Sequence, residues 1–163
     1  MKELLDKLSS YNIFNYLLPG VLFAVLLNKF TTYSLIQDDL IVGAFVYYFI
    51  GLVVSRFGSL LIEPILTKTS FVKFAPYAHF VEASKMDSTL EILSEVNNMY
   101  RTLCSMFVLL LLCSAYQSVE VTFSQLGQWN KYILMVILLV TFLCSYRKQT
   151  DYVKRRIEAN KHP

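Results

Sequence analysis

The sequence predicts an all-α protein in which four helices cross a membrane and a cytosolic helical segment separates the second span from the third. Its 163 residues are 55% hydrophobic and only 17% charged, whereas an average soluble domain carries about 25% charged residues. The apolar residues are gathered into four long blocks. These blocks divide the chain into residues 1–66 with spans 1 and 2, a cytosolic segment 67–101, residues 102–146 with spans 3 and 4, and a basic cytosolic tail, 147–163.

The first span covers about Tyr11 to Leu27 and follows a short amphipathic start, Met1 to Leu8. Because that start carries acidic as well as basic residues and no small-residue cleavage site follows the apolar block, we interpret the block as a retained span rather than a signal peptide. Pro19 removes one backbone hydrogen bond, which predicts a kink near Asn15 or Tyr16. Asn12 and Asn15 either hydrogen-bond across helices or lie in the headgroup layer, and the sequence favours neither interpretation.

The second span, Leu40 to Ile62, has 23 residues, of which only Arg56 is charged. A helix of that length is roughly 34 Å long, enough to cross a hydrocarbon core of about 30 Å. Asp39 is in position to cap its N-terminus, and Glu63-Pro64 is expected to end it. Small residues recur at intervals of four and seven, which predicts a face for close helix packing and self-association rather than plain lipid contact. That face comprises Ala44, Gly51, Ser55, Gly58 and Ser59.

Arg56 is the one formal charge inside a predicted span, about 9 Å from the cytosolic end of its helix. Two interpretations stay open. The arginine either lies inside the bundle and pairs with a carboxylate, or it snorkels so that its guanidinium reaches the inner headgroups. Glu63, at the membrane surface, is the candidate partner from a neighbouring helix, although a solvated carboxylate is the simpler interpretation.

The cytosolic segment begins with an aromatic and basic stretch, 67–86, that is typical of an interfacial segment with its rings at headgroup depth. Ser88 and Glu91 have the spacing of a capping box, which predicts a helix start. From there a helical stripe runs without a breaker into the third span, about Thr102 to Val119. One continuous helix is therefore expected to leave the cytosol and cross the membrane. Its apolar stripe is the predicted docking surface for a partner: Leu90, Leu93 and Tyr100.

The fourth span, about Lys131 to Tyr146, is short, and a basic tail follows it. Cationic residues beside a membrane attract anionic lipid headgroups, and we favour that interpretation over nucleic-acid binding. Membrane lipid is therefore an expected partner, and direct contact with nucleic acid is not expected. The predicted lipid-headgroup residues are Arg147, Lys148, Lys154, Arg155 and Arg156.

The distribution of lysine and arginine predicts which side of the membrane each segment faces. Two of these residues lie in the N-terminal segment, four between Glu63 and Arg101, and six in the tail. The two short connections carry one each, Lys29 and Lys131. Because positively charged segments tend to stay in the cytoplasm, both termini and the central segment are predicted to be cytoplasmic.

Nothing in the sequence indicates catalysis or cofactor binding. The cysteines lie in apolar blocks without ligand spacing and are interpreted as packing residues: Cys104, Cys113 and Cys144. His79 and Glu82 are three residues apart, but two ligands do not make a metal site. The sequence shows no catalytic triad, nucleotide-binding loop or pair of buried carboxylates. We therefore expect neither an enzyme nor a bound cofactor.

Residues 7–23 (KLSSYNIFNYLLPGVLF) and 37–64 (QDDLIVGAFVYYFIGLVVSRFGSLLIEP) resemble the KwaA family, the membrane subunits of the Kiwa anti-phage defence systems. The resemblance is closest over residues 1–66, and the remainder matches in its layout. It implies a bacterial inner-membrane protein that detects infection at the envelope and assembles as a homo-oligomer, a tetramer in that family. It also implies a soluble, DNA-binding effector of the KwaB type as a partner. It carries no catalytic residue.

Two alternatives remain open at this point. A pore-forming protein, such as a toxin, a holin or a small channel or transporter subunit, would also consist of a few spans with little mass outside the membrane. An accessory subunit that only anchors a complex would carry the same cytosolic segments without responding to infection.

Overall fold

The computed structural model describes residues 13–161, and this part of the chain is helical and contains no strand. The predicted all-α class is therefore confirmed. The predicted amphipathic start, Met1 to Leu8, and Asn12 lie outside the described residues. The α-helices are α1 (Leu18–Phe30), α2 (Leu40–Phe57), α3 (Glu63–Lys68), α4 (Tyr77–Met86), α5 (Thr89–Thr122) and α6 (Asn130–Lys161). Two π-helical turns, Ile13–Leu17 and Gly58–Ile62, and a 3-10 helix, Ser124–Trp129, complete the order.

Three helical segments of the described chain are long and apolar enough to cross a membrane. They run over Leu40–Lys68, Thr89–Thr122 and Gln125–Asn160, with 29, 34 and 36 residues. The first apolar helix is shorter over its described residues, Asn15–Phe30. At 1.5 Å of rise per residue it reaches about 24 Å. Three of the four predicted spans thus have the length and composition of a span, and the first has the composition at a shorter length.

After each π-helical turn comes one further residue and then a proline. Ile13–Leu17 precedes Pro19, and Gly58–Ile62 precedes Pro64. Proline has no N–H to donate and its ring crowds the preceding turn, so a widened turn lets the helix continue past it. A π-helical turn thus covers Asn15 and Tyr16, the two residues near which a kink was predicted.

The helix of the second predicted span does not end at Pro64, so the predicted helix end was wrong. The N–H of Glu63 donates to the carbonyl of Gly58, five residues back, and α3 then continues the same helical segment to Lys68. Pro64 lies in the first turn of α3, a position at which the fixed φ of proline suits a helix. Glu63-Pro64 is therefore a joint within one helix.

Contacts near the helix ends give the directions of the helices. Tyr16, before α1, lies beside Arg56 near the end of α2, where the arginine Nη2 donates to the phenolic oxygen at 3.3 Å. At the other end of the bundle the hydroxyl of Tyr33, after α1, bonds to the carboxylate of Glu120 near the end of α5. α1 therefore runs antiparallel to α2 and parallel to α5. We name the two ends of the bundle the Glu63 end and the Glu120 end.

The apolar core joins α1, α2 and α5, whereas α6 lies at the edge. The buried core side chains are Phe23, Leu27, Val54, Met106 and Leu110. In lipid such contacts stabilise the bundle through close packing, because lipid tails are as apolar as the side chains. No residue of α6 from Asn130 to Asn160 is buried. One of its contacts with α2 is the ring of Phe142 against Phe49, with centroids 5.9 Å apart.

α5 confirms the predicted continuous helix, because it runs unbroken over 34 residues from Thr89 to Thr122. The predicted capping box is not formed: Ser88 has helical backbone angles and its side chain makes no cap hydrogen bond. Asp87 takes that role, since its Oδ1 accepts from the N–H of Thr89 at 2.9 Å. Hydrogen bonds from the side chain and the N–H of Thr89 lower the pKa of the Asp87 carboxyl.

The start of α2 is set by a local residue, and α6 extends beyond the predicted fourth span. Asp39 caps α2 as predicted, with Oδ1 accepting from the N–H of Val42 at 2.8 Å. The helix of the fourth predicted span does not stop near Tyr146, because α6 continues over 32 residues to Lys161 and includes most of the basic tail.

Candidate functional site

A polar cluster joins three helices at the Glu63 end of the bundle. The Glu63 carboxylate pairs with the Arg101 guanidinium of α5 and, at 3.0 Å, with the Lys148 ammonium of α6. The side chains of Glu63, Arg101 and Lys148 are 17%, 21% and 26% exposed, so solvent screens this cluster less than a surface pair. One carboxylate against two cations leaves a net charge of +1. Together with Ser59 these residues form what we call the Glu63 cluster.

Ser59 belongs to the cluster because its own carbonyl oxygen receives no hydrogen bond from a backbone N–H of the helix. The N–H of Glu63 is bonded to Gly58, and Pro64, the next residue, has no N–H. Lys148 Nζ replaces the missing backbone donor. It donates to the Ser59 carbonyl at 2.6 Å, to Ser59 Oγ at 2.8 Å and to Glu63 Oε1 at 3.0 Å. An ammonium has three N–H donors, and each of them has an acceptor here.

The three charges of the cluster lie at one level because each borders an apolar stretch of the sequence. Glu63 follows the second apolar block, Arg101 precedes the third, and Lys148 comes just after the fourth. In a membrane protein, charged side chains collect where the hydrocarbon ends. The cluster therefore gives three helices a common border. The sequence-based reasoning missed these pairings, although the positions of the charges at the block ends would have indicated them.

Arg56 contacts the bundle through a phenol rather than a carboxylate. It is half-buried and bonds to Tyr16, which is 7% exposed and meets the ring of Tyr48 edge-on at 5.5 Å. Glu63 is held by two other cations of the same chain, so the interpretation of a solvated carboxylate was wrong. A pair between Arg56 and Glu63 of two different copies stays a prediction.

The predicted small-residue face of α2 packs against other helices of the same chain. A Cβ on Gly51 would come within 2.9 Å of the Cα of Tyr16, and one on Gly58 within 3.1 Å of the Cβ of Ser105. Ala44, by contrast, is exposed. The helix-packing role is thus seen within one chain, and self-association through this face stays a prediction.

Two hydroxyl residues of α5, which the sequence-based reasoning missed, complete this contact. Thr102 and Ser105 are both 0% exposed. Ser105 Oγ donates to the carbonyl of Val54 at 2.7 Å, and Thr102 Oγ1 lies 3.3 Å from Oγ of Ser55. Ser55 and Ser59 are also buried. Polar groups inside a bilayer need partners. Thr102 and Ser105 are three residues apart and so lie on one face of the helix, and this spacing is the sequence signal that could have identified them.

A second polar cluster lies at the Glu120 end. The carboxylate of Glu120 accepts from the hydroxyl of Tyr33 and, at 2.8 Å, from Nδ2 of Asn130. Asn130 Oδ1 in turn accepts from the hydroxyl of Tyr116 at 2.6 Å. Burial and the bond to Glu120 raise the pKa of Tyr33. We call these four residues the Glu120 cluster. It was not predicted, because its members come from separate segments of the chain.

The predicted docking stripe on α5 is only partly open. Leu93 and Tyr100 are 57% and 60% exposed, whereas Leu90 is half-buried. Leu93 and Tyr100 therefore have free surface in a single chain, and the docking role of all three stays a prediction.

The predicted lipid-headgroup residues differ in their surroundings. Lys148 belongs to the Glu63 cluster, and Lys154 lies 4.0 Å from Glu158 in an exposed pair on the same helix. The other members are exposed: Arg147, Arg155 and Arg156. Among residues 13–161 no three His, Cys, Asp or Glu side chains lie close enough together to hold a metal ion.

Comparisons of the chain with protein-family models, with curated proteins and with solved structures found no match. The function is therefore argued from the residues of the chain and from the resemblance of its N-terminal half.

Proposed function

We propose that this chain is a four-span scaffold and sensor subunit of an anti-phage defence complex in the bacterial inner membrane, with both termini in the cytoplasm. It forms a homo-oligomer, a tetramer by the resemblance to the KwaA family, and recruits a soluble, KwaB-like, DNA-binding effector at the inner face. Three long apolar helices support insertion in a membrane. The antiparallel first helix supports a fourth span, and the distribution of lysine and arginine supports cytoplasmic termini. The resemblance of residues 1–66 supports the defence role, the homo-oligomer and the effector partner.

The observation that carries the proposal is the continuity of α5. Its 34 residues correspond to about 51 Å of unbroken helix. One helix thus links the segment proposed to hold the effector with a span that meets the lipid. The Glu63 cluster ties α5 to α3 and α6 at the border between these two parts. A change in the tilt of the span therefore moves the docking segment with it, which is how a disturbance of the membrane would reach the effector.

The part of α5 before Arg101 carries the proposed docking surface. Leu93, Val96 and Tyr100 are 57%, 38% and 60% exposed, and their spacing of three and four places them on one side of the helix. In the proposed topology this part of the helix lies outside the hydrocarbon, so lipid does not cover Leu93 and Val96. Apolar residues on one helix face in water are typical of a surface that binds another protein.

We place the proposed self-association on α6. None of its residues from Asn130 to Asn160 is buried, whereas every residue of the small-residue face except Ala44 is buried within the same chain. A helix that is exposed on the sides facing away from α2 can accept a second copy there without displacing any part of the first.

Co-purification from detergent-solubilised membranes tests the proposed docking surface. The full-length, tagged chain is expressed together with the soluble protein encoded by the neighbouring gene. We expect the wild type to retain this protein and Leu93→Glu to lose most of it. Val153→Glu is the matched control, because Val153 is also exposed, at 52%, and lies on the tail part of α6. Equal retention by both variants would contradict docking on α5, and no retention by the wild type would contradict the scaffold role.

Expression of the chain alone separates the scaffold from the two alternatives. A scaffold without its effector is expected to leave growth and dye retention unchanged, whereas a pore-forming protein would cause leakage. A subunit that only anchors a complex would show neither a change in assembly nor a change in effector activity on infection.

A further inference from the structure

A cavity of about 150 Å³ lies beside the Glu63 cluster, between α3, the loop after it and α5. Glu63 and Arg101 provide its charged side. The rest of the lining is mainly apolar and includes Leu66, Phe71, Phe74 and Cys104.

A defined turn builds one wall of the cavity. Ser70 has a φ of 60°, a left-handed conformation that residues other than glycine seldom adopt. The N–H groups of Phe71 and Val72 both donate to the carbonyl of Leu66, at 3.0 and 3.2 Å. These bonds turn the chain back at the end of α3 and place Phe71 and Val72 in the lining.

The cavity lies where the hydrocarbon of the proposed topology ends. Arg101 is the last charged residue before the third apolar block, and Cys104 lies one turn further into that block. An occupant that contacts both residues therefore needs a polar group joined to an apolar chain.

The charge around the cavity favours an anion. The Glu63 cluster holds two cations and one carboxylate, and the Nε of Arg101 is buried without a hydrogen-bond partner among the described residues. Lys68 and Lys73, both exposed, flank Phe71 in the sequence. Guanidinium and ammonium groups are the side chains that bind phosphate most strongly.

We infer that this cavity binds an anionic phospholipid of the leaflet at the Glu63 end, with the phosphate on Arg101 and the start of one acyl chain against Phe71 and Cys104. An apolar cavity of about 150 Å³ holds a benzene-sized group, so it takes part of one chain and leaves the remainder in the bilayer. The site goes beyond the proposed function. It requires only that the chain lies in a membrane, whatever its partner is.

Native mass spectrometry of the full-length protein in a neutral detergent tests this site. Phosphatidylglycerol and phosphatidylcholine with the same acyl chains are titrated separately. We expect one phosphatidylglycerol per chain to bind about tenfold more tightly than phosphatidylcholine. Both lipids carry the phosphate, but the choline cation of phosphatidylcholine is repelled by the two cations of the Glu63 cluster. Cys104→Phe should fill the cavity and remove this lipid without changing any charge. Ala115→Phe is the matched control, because Ala115 is exposed on the same helix and does not line the cavity.

Two further arms separate the sources of the phosphate and the roles of the residues. Arg101→Gln, with folding checked by circular dichroism, should bind both lipids equally. Inorganic phosphate at millimolar concentration should not compete; if it displaces the lipid, the site recognises free phosphate and the inference is wrong.

Equal lipid binding by Cys104→Phe and Ala115→Phe would also overturn the inference. If Cys104→Phe instead loses the co-purified effector and keeps its lipid, the cavity docks protein, and the lipid assignment fails while the scaffold proposal stands.

Discussion

Gly20 of α1 and Gly51 of α2 lie in backbone contact where the first two helices cross. A Cβ on Gly20 would come within 2.9 Å of the amide nitrogen of Gly51 and would overlap the carbonyl oxygen of Tyr47. The chain just before α1 also lies close to Gly51, because a Cβ on Gly51 would overlap the backbone of Tyr16. Small residues that allow backbones to approach are a main source of helix association in lipid. This crossing therefore holds the short first helix on the second.

Gly51→Ala should loosen this crossing. The added methyl group meets backbone that cannot rotate away, so we expect a loss of about 1–3 kcal/mol in the free energy of unfolding. Gly43→Ala, on the same helix, is the control, because its Cβ would meet the movable ring of Tyr47 at 3.2 Å. Unfolding in detergent, followed by circular dichroism, gives both values. Similar losses in the two variants would show that the backbone contact does not hold α1 in place.

Glu63→Gln should destabilise the junction of α3, α5 and α6. The change removes the only carboxylate of the Glu63 cluster and leaves the cations of Arg101 and Lys148 facing each other. We expect a loss of about 2 kcal/mol, as for hydrogen bonds to a charged group. The same assay on Glu158→Gln is the control, because that residue, 59% exposed, forms a surface pair worth about 0.5 kcal/mol. A loss no larger than that of the control would contradict the structural role of the cluster.

The helices could be predicted from the sequence because they depend on neighbouring residues. The cap at Asp39 and the unbroken course of α5 are examples, and both were confirmed. The pairings could not be predicted in the same way. Glu63 meets Arg101 and Lys148 across 38 and 85 residues of chain, and no local pattern specifies which helix faces meet.

Pro64 shows how a local rule can mislead. A proline after an apolar block usually marks the end of a helix, but here the π-helical turn Gly58–Ile62 accommodates it and the helix continues. The same proline frees the Ser59 carbonyl for Lys148. Because the compensating donor comes from another helix, the outcome depends on tertiary packing and not on the residues around the proline.

Reporter fusions should reveal the direction of the spans. An enzyme that is active only outside the cytoplasm is expected to be active when fused after Gln125 and inactive when fused after Ser88 or Asn160. The expectation follows from the excess of lysine and arginine in the central segment and the tail. Activity after Asn160 together with inactivity after Gln125 would reverse the proposed orientation.

Alkaline titration should show the bond between Tyr33 and Glu120. Because burial and this bond raise the pKa of Tyr33 above its ordinary value of 10.0, the neutral phenol is favoured in the folded protein. Its contribution to stability is fully present below the pKa of the unfolded chain and is lost as the pH rises through the folded value. The difference in unfolding free energy between wild type and Tyr33→Phe should therefore be constant up to about pH 10 and then shrink. A difference that does not depend on pH would contradict the bond.

Oxidative cross-linking should locate the contact between copies. Cys144 is a free, exposed cysteine on α6, and a disulfide requires two Cα atoms within about 7 Å. If copies meet through the side of α6 that carries Cys144, oxidation of native membranes gives a covalent dimer that Cys144→Ser removes and Cys104→Ser does not.

Single cysteines at positions 137–140 in a Cys144→Ser background, spaced by about 100° around the helix, test the other sides of α6. Because these positions cover the whole circumference, the absence of a dimer at all of them would show that no second copy contacts α6 at this depth. The small-residue face of α2, although filled within one chain, would then be the next candidate for self-association.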